Sequence, residues 1–222
     1  WRLRIHQRRR ATRADWAIPM RRFSGFRRAD PINGEDRAMV QVTVGPGIFL
    51  WRDYFSPPAQ KNLLDAVLRR LQAAPLYRPT MPGSGKAFSV EESNFGTLGW
   101  VSDRNGYRYQ ASHPVTGKPW PDIPEALLAL WDEVAAGPQP QCCLVNLYRQ
   151  GARMGLHQDR DENDTNAPVI GVSLGDSALF RIGGATRKAA TQSIPLASGD
   201  VVLFGGEARL AYHGIDRVMT GT

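Results

Sequence analysis

Short apolar runs separated by glycine or polar turns fill the second half of the chain and limit the folds open to it. From residue 142 onward the runs are Cys142–Tyr148, Val169–Leu174, Ala178–Ile182, Val201–Phe204 and Leu210–Tyr212. Each run has the length of a strand, and turn signals such as Gly183-Gly184 and Gly205-Gly206 lie between them. Runs of this length and spacing are typical of antiparallel sandwiches and jelly rolls. The second half is therefore predicted to be all-β.

The first half of the chain combines strands with two predicted helices. Val40–Trp51 alternates loosely between apolar and polar residues, as a strand does. A helix is predicted to begin at Pro57 with Ser56 as its N-cap, because apolar residues follow at helical spacing. A second helix is predicted to begin near Asp122, with Glu125 in the capping-box position. The chain as a whole is therefore assigned to the α+β class.

The positive charge of the chain is concentrated at its start. The net charge is +7, and residues 1–40 hold eleven arginines and four acidic residues, whereas residues 41–222 hold 17 basic and 17 acidic residues. A claim of nucleic-acid binding must therefore rest on specific residues rather than on net charge. We predict that residues 1–40 form a basic, disordered extension and that residues 41–222 form the folded domain. We interpret the extension as sequence upstream of a start at Met20 or Met39, with a phosphate-binding arm or an organelle-targeting leader as alternatives.

The composition argues against a membrane-spanning protein and against a disulfide between the two cysteines. No apolar run approaches the roughly 18 residues of a membrane-spanning helix, so no membrane association is expected. The two cysteines, Cys142 and Cys143, are adjacent and would point to opposite faces of a strand, so they are not expected to form a disulfide with each other. Reduced cysteines are typical of the cytosol. We expect a cytoplasmic location and a monomer.

Two of the four histidines, His157 and His213, fall in the β half beside a suitable carboxylate. In an extended segment His157 and Asp159 share a face, so the imidazole and the carboxylate converge. His213 can complete the site from a neighbouring strand. Two histidines and one carboxylate leave coordination positions open, as in non-haem Fe(II) oxygenases, and the helical H-E-x-x-H pattern of zinc hydrolases is absent. This spacing alone leaves open the alternative that His157 is an ordinary surface or loop residue.

Motifs around these residues resemble those of the bacterial AlkB dioxygenases. In the β half they are Asn146-Leu147-Tyr148, His157-Gln158-Asp159-Arg160-Asp161-Glu162, Val172-Ser173-Leu174-Gly175, Gly199-Asp200-Val201-Val202, Gly205-Gly206-Glu207-Ala208-Arg209 and Tyr212-His213-Gly214-Ile215. Upstream, the segments that resemble the family's nucleotide-recognition lid are Leu98-Gly99-Trp100, Asn105-Gly106-Tyr107-Arg108-Tyr109 and Gly117-Lys118-Pro119-Trp120-Pro121. The resemblance covers about residues 45 to 222 in the family's order and spacing.

The resemblance implies a double-stranded β-helix (jelly-roll) core with N-terminal helices and a nucleotide-recognition lid. It implies that Fe(II) is bound by three catalytic residues, His157, Asp159 and His213. It implies that the cosubstrate 2-oxoglutarate is bound by three consecutive residues, Asn146, Leu147 and Tyr148. O2 is the second cosubstrate of this family.

The activity implied by the resemblance is oxidative demethylation of N-alkylated bases of the 1-methyladenine and 3-methylcytosine type, in DNA or RNA, with release of formaldehyde. The implied substrate-binding residues are Trp100, Tyr107, Arg108, Tyr109, Asp161 and Arg187. A Trp face suits any base, and the Asp161 carboxylate would favour a methylated base that carries positive charge. The substrate is expected to be methylated nucleic acid that is single-stranded or presents a flipped base, because the target atom cannot be reached inside a duplex.

Two other functions are compatible with parts of the pattern. A 2-oxoglutarate oxygenase could act on RNA, protein or a small molecule instead of DNA. A β-sandwich binding module could carry His157 and His213 as structural residues without any metal.

The sequence departs from the family pattern after the second iron histidine. In the family, two arginines on the last core strand bind the carboxylates of 2-oxoglutarate. Here Arg217 follows His213 by only four residues, and the chain ends before the expected strand. We therefore predict a domain truncated at its C-terminus, with the last core strand missing and a sheet edge left open. Without a guanidinium partner for the dicarboxylate, residues 1–222 are predicted to bind 2-oxoglutarate poorly and to be unstable or inactive.

Overall fold

A computed structural model describes residues 1–6, 27–29, 36–38, 40–135 and 137–222. Within these residues the strands are β1 (Arg2–His6), β2 (Arg27–Ala29), β3 (Asp36–Ala38), β4 (Val40–Gly45), β5 (Ile48–Arg52), β6 (Glu91–Phe95), β7 (Gly99–Asp103), β8 (Gly106–Gln110), β9 (Cys142–Leu147), β10 (Met154–His157), β11 (Val169–Ser173), β12 (Ala178–Ile182), β13 (Gln192–Leu196), β14 (Val201–Phe204) and β15 (His213–Val218). The helices are α1 (Pro57–Leu71) and α2 (Glu125–Val134).

Two antiparallel sheets form the core. The larger has the order β4-β5-β14-β11-β1-β9-β6 and the smaller has the order β10-β15-β12-β13. Apolar side chains between the two sheets, such as Leu50 and Phe204 from the larger and Phe180 and Ile182 from the smaller, form one buried cluster. Two sheets packed face to face in this way, with crossovers between them, are a jelly-roll core. The predicted α+β fold with a jelly-roll core is confirmed.

The outer face of the larger sheet is covered by both helices. A second buried apolar cluster contains Leu63 and Val67 of α1 and Leu127 and Trp131 of α2. The residues of β1 and β9 that face the helices belong to the same cluster. The molecule therefore has a helical layer, a seven-stranded sheet and a four-stranded sheet, and the space between the sheets is where the candidate site lies.

Strand β1 lies in the middle of the larger sheet, antiparallel to both β9 and β11. The expectation of disorder is therefore wrong for residues 2–6. The physical reason is the alternation Arg-Leu-Arg-Ile, which buries Leu3 and Ile5 completely on the helix side and turns Arg2 and Arg4 toward the smaller sheet. Of the rest of the extension, the structure describes Trp1, the paired short strands β2 and β3, and Val40; Met20 and Met39 lie outside the described residues.

The expected open sheet edge is not found between β9 and β11. β15 is the last strand of the described residues, and the absence of a further core strand stays a prediction. However, β1 pairs with β11 on one side and with β9 on the other, so the backbone groups of both strands are hydrogen-bonded. A segment from the start of the chain thus fills a central position of the core.

Three local predictions need correction. Val40–Trp51 is a hairpin of β4 and β5 rather than one strand, because Gly47 has a φ of 72° and reverses the chain. Helix α2 begins at Glu125 with Pro124 at the N-cap, so Asp122 is not the cap; the proline disfavours helical backbone for the residue before it. Leu210–Tyr212 is a loop, because the amides of Ala211 and Tyr212 bond to Ala208 and Gly184 and β15 begins only at His213.

Cys142 and Cys143 are buried free thiols on β9, as expected for adjacent residues of one strand. Neither α1 nor α2, nor any other helix in the described part of the chain, is long and apolar enough to cross a membrane.

Candidate active site

The three predicted metal ligands lie together at one end of the smaller sheet. His157 is the last residue of β10 and His213 is the first residue of β15, and the two are paired across these antiparallel strands. Their ring centroids are 4.5 Å apart. Asp159 follows His157 by two residues, and one ligand atom from each of the three residues lies within 4.8 Å of the others. Gly214 allows β15 to lie this close to β10, because a Cβ at position 214 would collide with the carbonyl oxygen of Met154.

Backbone carbonyls fix the orientation of both imidazoles. Nδ1 of His157 lies 2.9 Å from the carbonyl oxygen of Gly155, and Nδ1 of His213 lies 3.0 Å from that of Ala211. Because a carbonyl oxygen can only accept, each Nδ1 carries the proton and donates it. In the neutral ring Nε2 then has the free lone pair, and these atoms lie 3.4 and 3.5 Å from the Asp159 carboxylate. This is the tautomer that binds a metal ion.

The electrostatics of the site keep His213 and Asp159 in the metal-binding protonation state. Burial lowers the pKa of His213 to about 4, although the Asp159 carboxylate acts in the opposite direction. Burial alone would raise the pKa of Asp159, but the Arg4 guanidinium and the two imidazoles hold that pKa well below its usual range. At neutral pH the site therefore offers an uncharged His213 and an ionised carboxylate, a donor set that fits Fe(II).

Arg4 of β1 places its guanidinium among the three ligands. Its Nη1 donates to both carboxylate oxygens of Asp159, at 2.6 and 2.7 Å. The same Nη1 lies 3.2 Å from Nε2 of His157 and 3.3 Å from Nε2 of His213. Burial disfavours this charge, but the Asp159 carboxylate raises the pKa of Arg4 above its ordinary value. The guanidinium therefore lies within hydrogen-bonding distance of all three predicted ligands.

Arg209 holds the loop that carries Asp159. It is buried, its Nη1 donates to the carbonyl oxygen of Asp159 at 2.5 Å, and its Nε donates to that of Ala167 at 2.6 Å. Its Nη2 lies 3.2 Å from Glu162. Arg209 is part of one of the family motifs, but the sequence predicted no role for it. In the structure, Arg209 fixes the loop from 159 to 162.

The wall beside the ligands contains polar groups with unused hydrogen-bonding capacity. Asn146 on β9 is fully buried, and neither atom of its side-chain amide has a hydrogen-bond partner in the described chain. Among the described residues, the Tyr148 hydroxyl makes a single weak contact, 3.7 Å to the sulfur of Met154. Burial raises the pKa of Tyr148 to about 12, so it remains a donor. Because unpaired buried polar groups are costly, this wall fits a polar ligand such as 2-oxoglutarate. Leu147, the third residue predicted there, is half-buried at the end of β9.

The β7–β8 hairpin forms an aromatic platform next to the ligand loop. Trp100 and Tyr107 are stacked, with ring centroids 5.5 Å apart and an interplanar angle of 21°. The side chain of Asn94 on β6 binds the backbone of Trp100 through two hydrogen bonds, of 2.9 and 3.1 Å. The indole Nε1 of Trp100 donates to Asp161 at 3.0 Å. The platform is therefore connected directly to the loop that carries Asp159.

The remaining predicted substrate residues are engaged in contacts within the protein. Arg108 binds Asp103 at 2.7 Å on the same hairpin. The hydroxyl of buried Tyr109 donates to Glu162 at 2.8 Å, which anchors the hairpin. Arg187 donates to the carbonyl oxygen of Leu156 at 3.2 Å and lies 5.9 Å above the ring of Tyr212. Their contact with substrate stays a prediction.

Sequence reasoning missed three residues that face this site, Arg2, Arg4 and Glu92. The alternation of residues 2–5 was a usable signal for the two arginines, because it places both on one face of a strand. For Glu92 the sequence offers no signal that separates it from its neighbour Glu91.

The chain matches known proteins over most of its length. The family model described as the 2OG-Fe(II) oxygenase superfamily matches residues 47–222. The alpha-ketoglutarate-dependent dioxygenase AlkB homolog of Caulobacter vibrioides is 51% identical over 200 residues, which cover 88% of this chain and 89% of that protein. The nucleic acid dioxygenase ALKBH1 of Mus musculus is 31% identical over 135 residues, which cover 59% of this chain and 33% of that protein. The solved structure of OsALKBH1 superimposes with a TM-score of 0.68 and 27% identity, covering 81% of this chain and 88% of the other.

The ligand triad, the jelly-roll core and the sequence similarity all indicate the same family. The chain belongs to the 2OG-Fe(II) oxygenase superfamily and, within it, to the bacterial AlkB family of Fe(II)- and 2-oxoglutarate-dependent dioxygenases.

Proposed function

We propose that this enzyme removes methyl groups oxidatively from N-alkylated bases in nucleic acid, with DNA as the main substrate. The observation that carries the proposal is the hydrogen bond from Trp100 to Asp161, two residues beyond Asp159. A base that stacks against the Trp100 platform is thereby held next to the metal ligands. The names of the relatives, an AlkB dioxygenase and a nucleic acid dioxygenase, support the same substrate class.

The metal would be held by His157, Asp159 and His213, and with 2-oxoglutarate and O2 it supplies the oxidation of the methyl group. The protein contributes orientation. The carbonyls of Gly155 and Ala211 keep both Nε2 atoms directed at the metal position, and Arg209 keeps the carboxylate beside them. Such fixed positioning of ligands is a main way in which a protein tunes a metal site.

The cosubstrate is proposed to bind between Asn146, Tyr148 and the two arginines of β1. Arg2 is buried and the side chain of Arg4 is 12% exposed, both on the inner face of β1. Nε of Arg2 has no hydrogen-bond partner in the described chain, whereas its two Nη atoms donate to backbone carbonyl oxygens of the protein. Burial lowers the pKa of Arg2 to about 10, which still leaves it charged at neutral pH. A dicarboxylate would pair with these cations. The sequence predicted poor binding for lack of C-terminal arginines, and β1 offers a substitute for them.

The substrate base is proposed to stack on the Trp100–Tyr107 platform. Tyr107 is among the more exposed aromatic residues of the protein, so one side of the platform is accessible to a ligand. Stacking of a base on an aromatic ring contributes about 1–3 kcal/mol and hardly depends on the base. The platform therefore gives affinity for an unstacked base, and the choice of base must come from polar groups around it.

Formaldehyde release tests the proposal. Residues 1–222 with Fe(II), 2-oxoglutarate and O2 should release formaldehyde from single-stranded DNA that contains 3-methylcytosine, and should not release it from the same unmethylated strand. The His157→Ala variant should be inactive, and Trp100→Ala should lose at least about tenfold in kcat/KM if stacking contributes as expected. A parallel RNA strand measures the preference between the two nucleic acids. No release from any methylated strand would refute the proposal.

A further inference from the structure

Glu92 is a buried carboxyl group without a hydrogen-bond partner. It lies on β6, its side chain is 1% exposed, and neither carboxylate oxygen has a partner in the described parts of the chain. Its backbone, by contrast, is fully paired with Tyr77, at 2.8 and 2.9 Å. The other acidic residues near the platform are engaged: Asp161 accepts from Trp100, and Glu162 contacts Tyr109 and Arg209. An unsatisfied carboxyl in such a position requires an explanation.

The side chain of Glu92 faces the space between the two sheets. Glu92 is paired in register with Asn146 of β9, so the two side chains lie next to each other on one face. Asn94, two residues on, shares that face and binds the backbone of Trp100. Ser93 and Phe95 point the other way, toward Ala74 and the helix-side core. Glu92 therefore lies in the wall between the cosubstrate residue Asn146 and the aromatic platform.

The charge around Glu92 favours a cationic or amino-bearing ligand. Burial raises the pKa of Glu92 to about 8, although the Arg4 guanidinium acts in the opposite direction. One nearby cation is thus insufficient to keep the carboxylate ionised. A dicarboxylate would disfavour ionisation of Glu92 further and would pair with Arg4 instead, whereas a cationic ligand would favour the ionised form. An N-methylated adenine or cytosine carries positive charge and an amino group, both of which suit it.

Building on the proposed function, we infer that Glu92 is a specificity-determining residue that contacts the methylated base and selects cationic bases with an amino donor over neutral methylated bases. Glu92→Gln keeps the shape of the side chain but removes its ability to ionise beside a cationic base, and Glu92→Leu removes both polar oxygens. Glu91→Gln is the matched control, because Glu91 is the preceding residue and pairs with Arg149 on the surface at 2.8 Å.

The experiment compares single strands that contain either 3-methylcytosine, which is cationic, or 3-methylthymine, which is neutral. The ratio of kcat/KM for the two strands should fall about tenfold or more in both Glu92 variants, the size expected for one charged hydrogen bond. The ratio should be unchanged in Glu91→Gln. An unchanged ratio in Glu92→Gln and Glu92→Leu overturns the inference, and so does an effect confined to the KM for 2-oxoglutarate.

A binding measurement separates this inference from the proposed function. Affinity of the two methylated strands is measured by fluorescence anisotropy with Mn(II) and 2-oxoglutarate under exclusion of O2, so that no turnover is needed. Wild type should prefer the 3-methylcytosine strand, and Glu92→Gln should lose that preference by a similar factor. If wild type shows the preference but releases no formaldehyde, only the proposed function fails. If wild type and Glu92→Gln bind both strands alike, the inference about Glu92 fails.

Discussion

At the scale of single residues, Arg4 links the start of the chain to the metal ligands. Its guanidinium donates to Asp159 and lies within hydrogen-bonding distance of His157 and His213. The side chain of Asp159 is only 9% exposed, and a carboxylate with so little access to water would be strongly unfavourable without a partner. Arg4 therefore stabilises the assembled triad.

We predict that Arg4→Met destabilises the protein, because it removes the ion pair with Asp159. Loss of this largely buried pair should lower the free energy of unfolding of the metal-free protein by about 3–5 kcal/mol. Chemical denaturation measures the loss, with Arg149→Met, which removes an exposed arginine, as control. A free energy of unfolding of Arg4→Met equal to that of Arg149→Met would contradict the prediction.

We predict that Glu92 makes the free energy of unfolding depend on pH. Burial raises its pKa from 4.5 to about 8 in the folded state, so the folded protein retains a proton that the unfolded chain releases. Its contribution to stability is therefore fully present below pH 4.5 and is lost as the pH rises toward 8. The stability of wild type relative to Glu92→Gln should fall between pH 5 and pH 8. Arg4, Tyr148 and the other groups near Glu92 are present in both proteins, so urea denaturation of the pair isolates this carboxyl. Parallel stability curves for the two proteins would contradict the prediction.

At the scale of elements, β1 has the largest structural consequence. It pairs with β9 and β11 and carries two aliphatic side chains into the helix-side core and two arginines toward the site. Both the core and the metal site therefore depend on a five-residue strand from the start of the chain.

We predict that Ile5→Ala lowers the free energy of unfolding by about 2–5 kcal/mol, because Ile5 is fully buried between the sheet and the helices. Urea denaturation measures the loss. Leu68→Ala is the control, since Leu68 on α1 is 45% exposed and its truncation should cost little. If Ile5→Ala is as stable as Leu68→Ala, β1 does not belong to the core in solution.

At the scale of the whole molecule, the sequence predicted what local patterns encode. Apolar runs located strands such as Ala178–Ile182 and Val201–Phe204 correctly, and the proline and apolar spacing located α1. The H-x-D step and the family motifs identified the triad. These features depend on residues that are close in sequence or on motifs that are fixed within a family.

The features that the sequence did not predict depend on distant pairing. Nothing local to residues 2–6 indicates partners in β9 and β11, and the many arginines that follow favoured an interpretation as disorder. Likewise, Glu91 and Glu92 are adjacent residues of the same type. Only the register of β6 against β9 determines that Glu91 lies near the surface and that Glu92 faces the site. The contact of Arg4 with the triad depends both on the pairing of β1 with distant strands and on the register that turns Arg4 toward the site.

The most direct test of the central claim is to measure formaldehyde and succinate in the same reaction of residues 1–222 with 3-methylcytosine in single-stranded DNA. If the triad holds the metal next to the bound base, formaldehyde and succinate should appear in equal amounts, and His213→Ala should produce neither. Succinate without formaldehyde, or formaldehyde that persists in His213→Ala, would contradict the account.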